Sequence, residues 1–419
     1  MLDCDSACPR ESALSDPGIW LRHLREDILP FWIHPTALGD SVGNFPTERM
    51  QDGSPVPGAV RRTRMQGRQI FAYLVSYELL GDRRLLDLAK AGLGWMDEHL
   101  RNPAGGWYPV SDEAGRPDRS ATITVQDLCY AAFPRLELFR LTGDTAALAD
   151  ADAVLDLLLR GPFLLPNGIL SDAMDSRYVE RRPFEGATTN VVSYLDLLNL
   201  LLVRRIEVDS NPSFALVEDL RQTVDRFVAL YWKDGVFWND LENRTDWGAK
   251  HVDFGHTAKG YAILRRTNRI LCERGLSPIH PDIEARFPEL ARAATDPTVG
   301  WRTDFLDSAT TFRPGSLQWW RHIQANQTSL LYADDVPDMA SVAATGAARW
   351  LSLPFVDRGR AIRGIREGLR PDGTLYGDDV AWTCKANLWK NAFHEVDHVR
   401  DVVRFSERRG RPRRERPGR

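Results

Sequence analysis

Residues 252–264 read VDFGHTAKGYAIL and place a histidine at the mouth of an otherwise apolar helical stretch, one turn ahead of a lysine. Positions three and four apart share a helix face, so His256 lies beside Lys259 and Gly260. Imidazole takes or gives a proton near neutrality, and a neighbouring cation disfavours its charged form, which predicts a neutral, basic His256. A second stretch, NLWKNAFHEVDH, ends in HEVDH at 394–398 and satisfies the H-E-x-x-H pattern of a zinc site. Zinc is the weaker reading, because a third ligand usually follows downstream and only 21 residues remain, mostly Arg and Pro. No metal is expected, and Glu395 and His398 read as supporting or solvent-facing helix positions.

Helices must position these residues. Apolar side chains recur at three- and four-residue spacing over 18–32, 58–80, 83–101, 121–142, 145–160, 186–207, 212–231, 253–274, 281–295, 316–332, 338–352 and 386–405, which predicts about twelve helices and almost no strands. Two kinds of connection alternate. In YELLGDRRLLDLAKAGLGWM and FRLTGDTAALADADAVLDLL a Gly caps one helix and the next Asp starts another. The longer connections GGWYPVSDEAGRPD, PNGILSDAMD, KDGVFWNDLENR and PDGTLYGDD read as short hairpins. Six pairs, inner helix then outer helix, close into an all-α (α/α)6 barrel whose hairpins gather at one rim around a cup; an open solenoid would need more uniform repeats. With no Gly-, Pro- or Ser-rich linker, 15–406 reads as one domain between a disordered 1–14 and a basic, disordered tail at 407–419.

Composition narrows the function classes. The 419 residues are 43% hydrophobic and 27% charged, with a net charge of -4 and no basic stripe interleaved with aromatics, so nucleic acid is not an expected partner. Neither a long apolar run nor a signal-peptide pattern is present, and Cys129, Cys272 and Cys384 stand alone; a cytoplasmic protein without a membrane partner is expected. Cys4 and Cys8 form a pair that no second pair completes into a zinc site. Thirteen tryptophans suit a carbohydrate pocket, because flat sugar faces stack on indole, although such rings also fill cores.

Four segments, RMQGRQIFAY, DFGHTAKGYAIL, LQWWRHIQAN and NLWKNAFHEVDH, resemble in order and spacing the signature segments of the N-acylglucosamine 2-epimerase superfamily, which includes cellobiose 2-epimerases and aldose–ketose isomerases. The resemblance runs over nearly the whole chain. It implies an (α/α)6 barrel, a small carbohydrate or polyol-like substrate, proton transfer at the carbon beside a sugar carbonyl, and no cofactor. It also implies that His256 and His394 are the acid/base pair and that Arg68 binds oxygen. Two imidazoles suit the chemistry: inversion removes the C2 proton from one face and returns one to the other, while isomerisation returns it to C1. The intervening enediolate is an anion that a fixed guanidinium stabilises. Either histidine is otherwise a plain core or surface residue, and Arg68 a plain ion-pair residue. Trp320, Trp389, Asn190 and Asp127 are candidate substrate contacts; Trp107, Trp319, Trp382 and Phe254 line the cup or belong to the core, and His322 is a weaker candidate.

Three departures fall on helices expected to face the cup. Lys259 and Gln324 stand where the resembled pattern has glutamates, and Ser193 stands where it has a histidine, with Asp196 in place of a glutamate. These changes make the cup more positive by about three charges. They predict an anionic group on the substrate, unless Lys259 pairs with Asp253, Asp196 or another acid. Two other readings remain open: a glycoside hydrolase or lyase drawing two carboxylates from Asp127, Asp196 and Asp378, and a sugar-binding barrel without turnover. A symmetric dimer is expected for a helical enzyme of this size.

Overall fold

The computed structural model describes residues 12–166, 168–171, 173–182, 192–239, 246–247, 252–377 and 380–410. Helix α1 is made of Pro17–His23, a π turn at Leu24–Ile28 and Leu29–Trp32. Then follow α2 (Thr63–Leu80), α3 (Arg83–Leu100), α4 (Val125–Thr142), α5 (Thr145–Leu159), α6 (Val192–Glu207) and α7 (Phe214–Tyr231). The second half holds α8 (Phe254–Glu273), α9 (Phe287–Ala294), α10 (Trp319–Tyr332), α11 (Met339–Ser352) and α12 (Phe393–Gly410). Each even-numbered helix packs on the next and α12 packs back on α2, so the inner ring is closed. Helices α3, α5, α7, α9 and α11 cover the inner helix that precedes them, and α1 covers α12. The architecture is the (α/α)6 barrel, with its sixth pair assembled from the two ends of the chain.

Burial separates the two rings. Every residue of α2 from Thr63 to Ser76 is buried, because an inner helix is enclosed on all sides. Its outer partner α3 buries one stripe, Leu85, Leu86, Ala89, Leu93, Met96 and Leu100, at the spacing of an amphipathic helix. The closest inner approach is between α2 and α4. Pro134 lies inside α4 and has no N–H to give Tyr130 four residues back. A Cβ on Gly67 of α2 would lie 1.9 Å from that carbonyl oxygen, so only glycine fits the crossing.

The short turns form as their sequence indicates. Gly81 and Gly143 end α2 and α4 with φ of 69° and 76°, and Asp82 and Asp144 cap α3 and α5 through their side chains. The rim differs from expectation. Several predicted helix starts are two-residue strands instead: Arg61–Arg62 pairs with Val110–Ser111, Ile123–Thr124 with Ala173–Met174, and Leu317–Gln318 with Gly368–Leu369. Of the expected hairpins, Trp232–Lys233 with Val236–Phe237 is local, whereas three of the seven strand pairings among the described residues join separate loops, which fastens the rim sideways. The longest strand pair, Asp304–Ser308 with Thr311–Arg313, was not expected at all. The domain limits also move outward. Ser12–Ser15 is helical with Ala13 and Leu14 buried, and α12 runs to Gly410, because Ser406 Oγ donates to Leu14 O at 2.7 Å and ties the two ends together.

Charged side chains pair across the axis beneath the cup. Arg400 of α12 reaches Glu137 of α4 at 2.9 Å and also bonds Asp397, Arg204 of α6 reaches Asp397 at 2.8 Å, and Gln327 of α10 donates to Asp401 at 2.7 Å. Burial raises the Glu137 pKa, but Arg400 and Arg140 outweigh it and hold the carboxyl down at about 2. A depressed carboxylate contributes stability above its unfolded value and loses it as pH falls through the folded value, here from about 4.5 towards 2, to the extent of about 3 kcal/mol. Urea titrations across that window are expected to show a falling midpoint in the native protein and a flatter profile in Glu137→Gln. Gly67→Ala is expected to cost about 2–3 kcal/mol by the same measurement, since α2 must leave the Tyr130 carbonyl.

Candidate active site

The inner helices point their N-terminal ends at the rim, and the candidate residues sit in their first two turns. His256 is on α8, His394 on α12, Arg68 on α2, and Trp320 and Gln324 on α10. The ring of Trp320 lies 4.7 Å from that of His256 and 6.4 Å from that of His394, centroid to centroid. Two imidazoles 138 positions apart in sequence therefore meet the same indole. Trp320 is held in turn by Nε1 donating to Gln318 Oε1 at 3.0 Å.

The two histidines have opposite surroundings. Asp253 caps α8: its Oδ1 accepts the His256 backbone N–H at 3.0 Å, and its Oδ2 lies 2.6 Å from His256 Nδ1. Asn239 Nδ2 donates to the same Oδ2 at 3.1 Å, and Arg321 approaches Oδ1 at 3.6 Å. Burial raises the Asp253 pKa, but His256 and Arg321 outweigh it and hold the carboxyl far below the usual range. His394 instead is pushed well below the ordinary imidazole value, first by burial and then by the cations Arg68 and Lys259, with Asp397 opposing. It is neutral at pH 7.

Arg68 donates from Nη1 to Trp389 O at 2.7 Å and from Nη2 to Tyr130 Oη at 2.6 Å. Neither acceptor is charged, and no acid pairs with Arg68 among the described residues, so its full positive charge is directed to the site. Trp389 is 50% exposed with the Arg64 guanidinium 4.1 Å from its ring, which presents an indole to the rim. Among the other aromatics, Trp107, Trp319 and Phe254 are core, and Trp382 stacks on Tyr376. His322 is buried against Phe355, and burial lowers its pKa to about 3.

The expectation for Lys259 is corrected. Its Nζ lies 2.9 Å from Asp196 Oδ2, with the aspartate side chain 1% exposed, so the added cation is cancelled by a buried carboxylate on α6. The reason to expect an anionic substrate is thereby removed. Gln324 donates to Gln327 Oε1 at 2.8 Å and joins the axial network. Asp127 closes a capping box with Thr124, which engages its carboxylate within α4. Asn190, Asp378 and the side chain of Ser193 lie outside the described residues, as do Cys4 and Cys8. A cavity of about 560 Å³ continues from Lys259, Gln324 and His394 down the axis to Arg400 and Arg404.

The HEVDH segment divides its side chains between two surroundings. Glu395 is fully buried against Lys390, and His398 is fully buried with Nε2 3.3 Å from Asn326 Nδ2 and its ring on Trp20. The solvent-facing reading of both is wrong, because this part of α12 is enclosed by α1, α2 and α10. Sequence reasoning also missed Tyr130 as the partner of Arg68. Asp253 had a signal in its position three residues ahead of His256, that of an N-cap.

The fold class is the (α/α)6 barrel, with both imidazoles meeting one indole at its rim. The model of the N-acylglucosamine 2-epimerase (GlcNAc 2-epimerase) family matches residues 44–151, a segment that contains Arg68 but neither histidine. Similar solved structures are a cellobiose 2-epimerase from Spirochaeta thermophila DSM 6192 (TM-score 0.80, 17% identity, 95% of this chain and 98% of that one) and one from Bacillus thermoamylovorans B4167 (0.77, 13%, 93% and 98%). A D-mannose isomerase is also similar (0.74, 15%, 94% and 98%). Residues 44–151 thus resemble the N-acylglucosamine 2-epimerase family, and the whole chain shares the fold of these solved structures. No helix among the described residues is long and apolar enough to cross a membrane.

Removing one member of a buried ion pair strands the other. Lys259→Met is therefore expected to lower stability by about 3–5 kcal/mol, and the double variant Lys259→Met/Asp196→Leu to recover most of the loss in the same urea titration.

Proposed function

We propose that the protein is a cofactor-independent sugar 2-epimerase or aldose–ketose isomerase that shuttles a proton between His256, His394 and the carbon beside a sugar carbonyl. The supporting observation is the convergence of both imidazoles on Trp320. The neutral His394 is suited to take the C2 proton of an open-chain aldose. The C–H electron pair passes into an enediolate, whose oxygens carry negative charge. Arg68, paired only with neutral acceptors, offsets that charge. When His256 enters as the imidazolium, delivery of its Nε2 proton to the opposite face of C2 completes epimerisation and delivery to C1 gives the ketose, the Nδ1 hydrogen staying on the ring. Trp320 and Trp389 offer stacking surfaces for the sugar.

A hydrolase or lyase needs two carboxylates at the reacting bond. Asp127 is engaged in its capping box and Asp196 in its ion pair, so neither stands ready for that chemistry. The class of substrate is best sought among neutral aldoses and ketoses, since Lys259 is already neutralised.

Incubation with a panel of neutral and acidic sugars in D2O is expected to place deuterium at C2 or C1 of a neutral substrate. His256→Asn and His394→Asn are expected to reduce that incorporation by at least about a hundredfold with circular dichroism unchanged. Hydrolysis without incorporation, or binding of sugar without either, would sink the proposal.

A further inference from the structure

The contacts of Asp253 exceed what capping a helix requires. Its Oδ1 does the capping, while Oδ2 faces the imidazole of His256 at 2.6 Å, and the residue is 2% exposed. Two groups fix the carboxylate from outside its own helix: Asn239, in the segment after α7, and Arg321 of α10, which is itself anchored on Asp304 at 2.6 Å. A carboxylate held in this way accepts a hydrogen bond from the ring nitrogen it faces and so selects the tautomer of the imidazole. We propose that Asp253 is a positioning residue that keeps the hydrogen of neutral His256 on Nδ1, leaving Nε2 to meet the sugar, and that supports the imidazolium whenever Nε2 carries the transferred proton.

This rests on the proton-transfer reading above and refines it. The proton bonded to Nε2 comes from the carbon acid or goes to the enediolate carbon; the Nδ1 hydrogen stays on the ring, and Asp253 remains ionised throughout. Among the described residues, the charged and titratable groups around His256 are Asp253 and Lys259 on its own helix, Arg321 on α10, and His394 on α12 across the Trp320 indole. Lys259 is turned to Asp196. Asp253 is thus the one anion among them that touches the ring. Among the described residues no carboxylate contacts the His394 ring in this way, so the two imidazoles differ in their immediate partners.

The test is 15N NMR of the full-length protein labelled at histidine, read beside deuterium incorporation. Asp253→Asn suits it, because asparagine caps a helix about as well as aspartate while its amide supplies no charge and donates as readily as it accepts. In the native protein the His256 ring is expected as the Nδ1–H tautomer, and in Asp253→Asn as a mixture or the reverse tautomer. Incorporation in the variant is expected to fall by about a hundredfold or more through kcat, with KM little changed and the limb of the pH–rate profile displaced. A native His256 with its hydrogen on Nε2 would overturn the proposal without any variant. So would an Asp253→Asn protein that keeps the native tautomer and pH–rate profile. If the tautomer result holds while the native enzyme incorporates no deuterium into any sugar, the positioning role stands and the epimerase or isomerase reading falls.

Discussion

Charge paired with charge along the barrel axis is the constraint on which the other features depend. Six inner helices enclosed on every side have nowhere to turn a polar side chain except inward, and an ion buried there is costly unless a partner meets it. Arg400, Asp397, Arg204 and Glu137 meet that requirement through two ion pairs that join α12 to α4 and to α6, and a third within α12. Because these ions come from three helices, a shift of α12 along the axis by a turn would strand several charges at once. The pairing therefore fixes the heights of α4, α6 and α12 relative to one another, and the side chains above them inherit that placement.

At the upper end the same helices offer their N-termini, and the two histidines come to differ through local partners. One is flanked by a carboxylate fixed on both oxygens; the other is buried beside cations. A pair of identical residues thus acquires two characters from its surroundings. Both rings meet one indole, and Arg68, bonded to a carbonyl and a phenol, has no ion-pair partner among the described residues.

Much of this could be read from the chain. Helix pairs were legible because a Gly with positive φ followed by an Asp cap is a local device, and the 3–4 spacing of α3 is local too. Rim strands of two residues are too short to show a period of two, so they were absorbed into the helices that follow them. The fold brings His256 and His394 to one indole, and both histidines and Arg68 were singled out through motif order. Their partners were not: Arg204 and Asp397 are 193 positions apart, and Arg400 and Glu137 263, which no periodicity reveals. Lys259 shows the limit most plainly, since its meaning turned on whether Asp196, on another helix, faced it.

The pairing of α1 with α12 has a consequence for how the molecule comes into being. While the chain is being synthesised from its N-terminus, α1 has no inner helix to cover, and Trp20 waits for His398 while Leu14 waits for Ser406. Five pairs can stack as an open arc before that, but the circle is completed only by the last helix to emerge. That helix also carries His394, so a nascent chain lacks both closure and the second imidazole at Trp320 until the same helix docks.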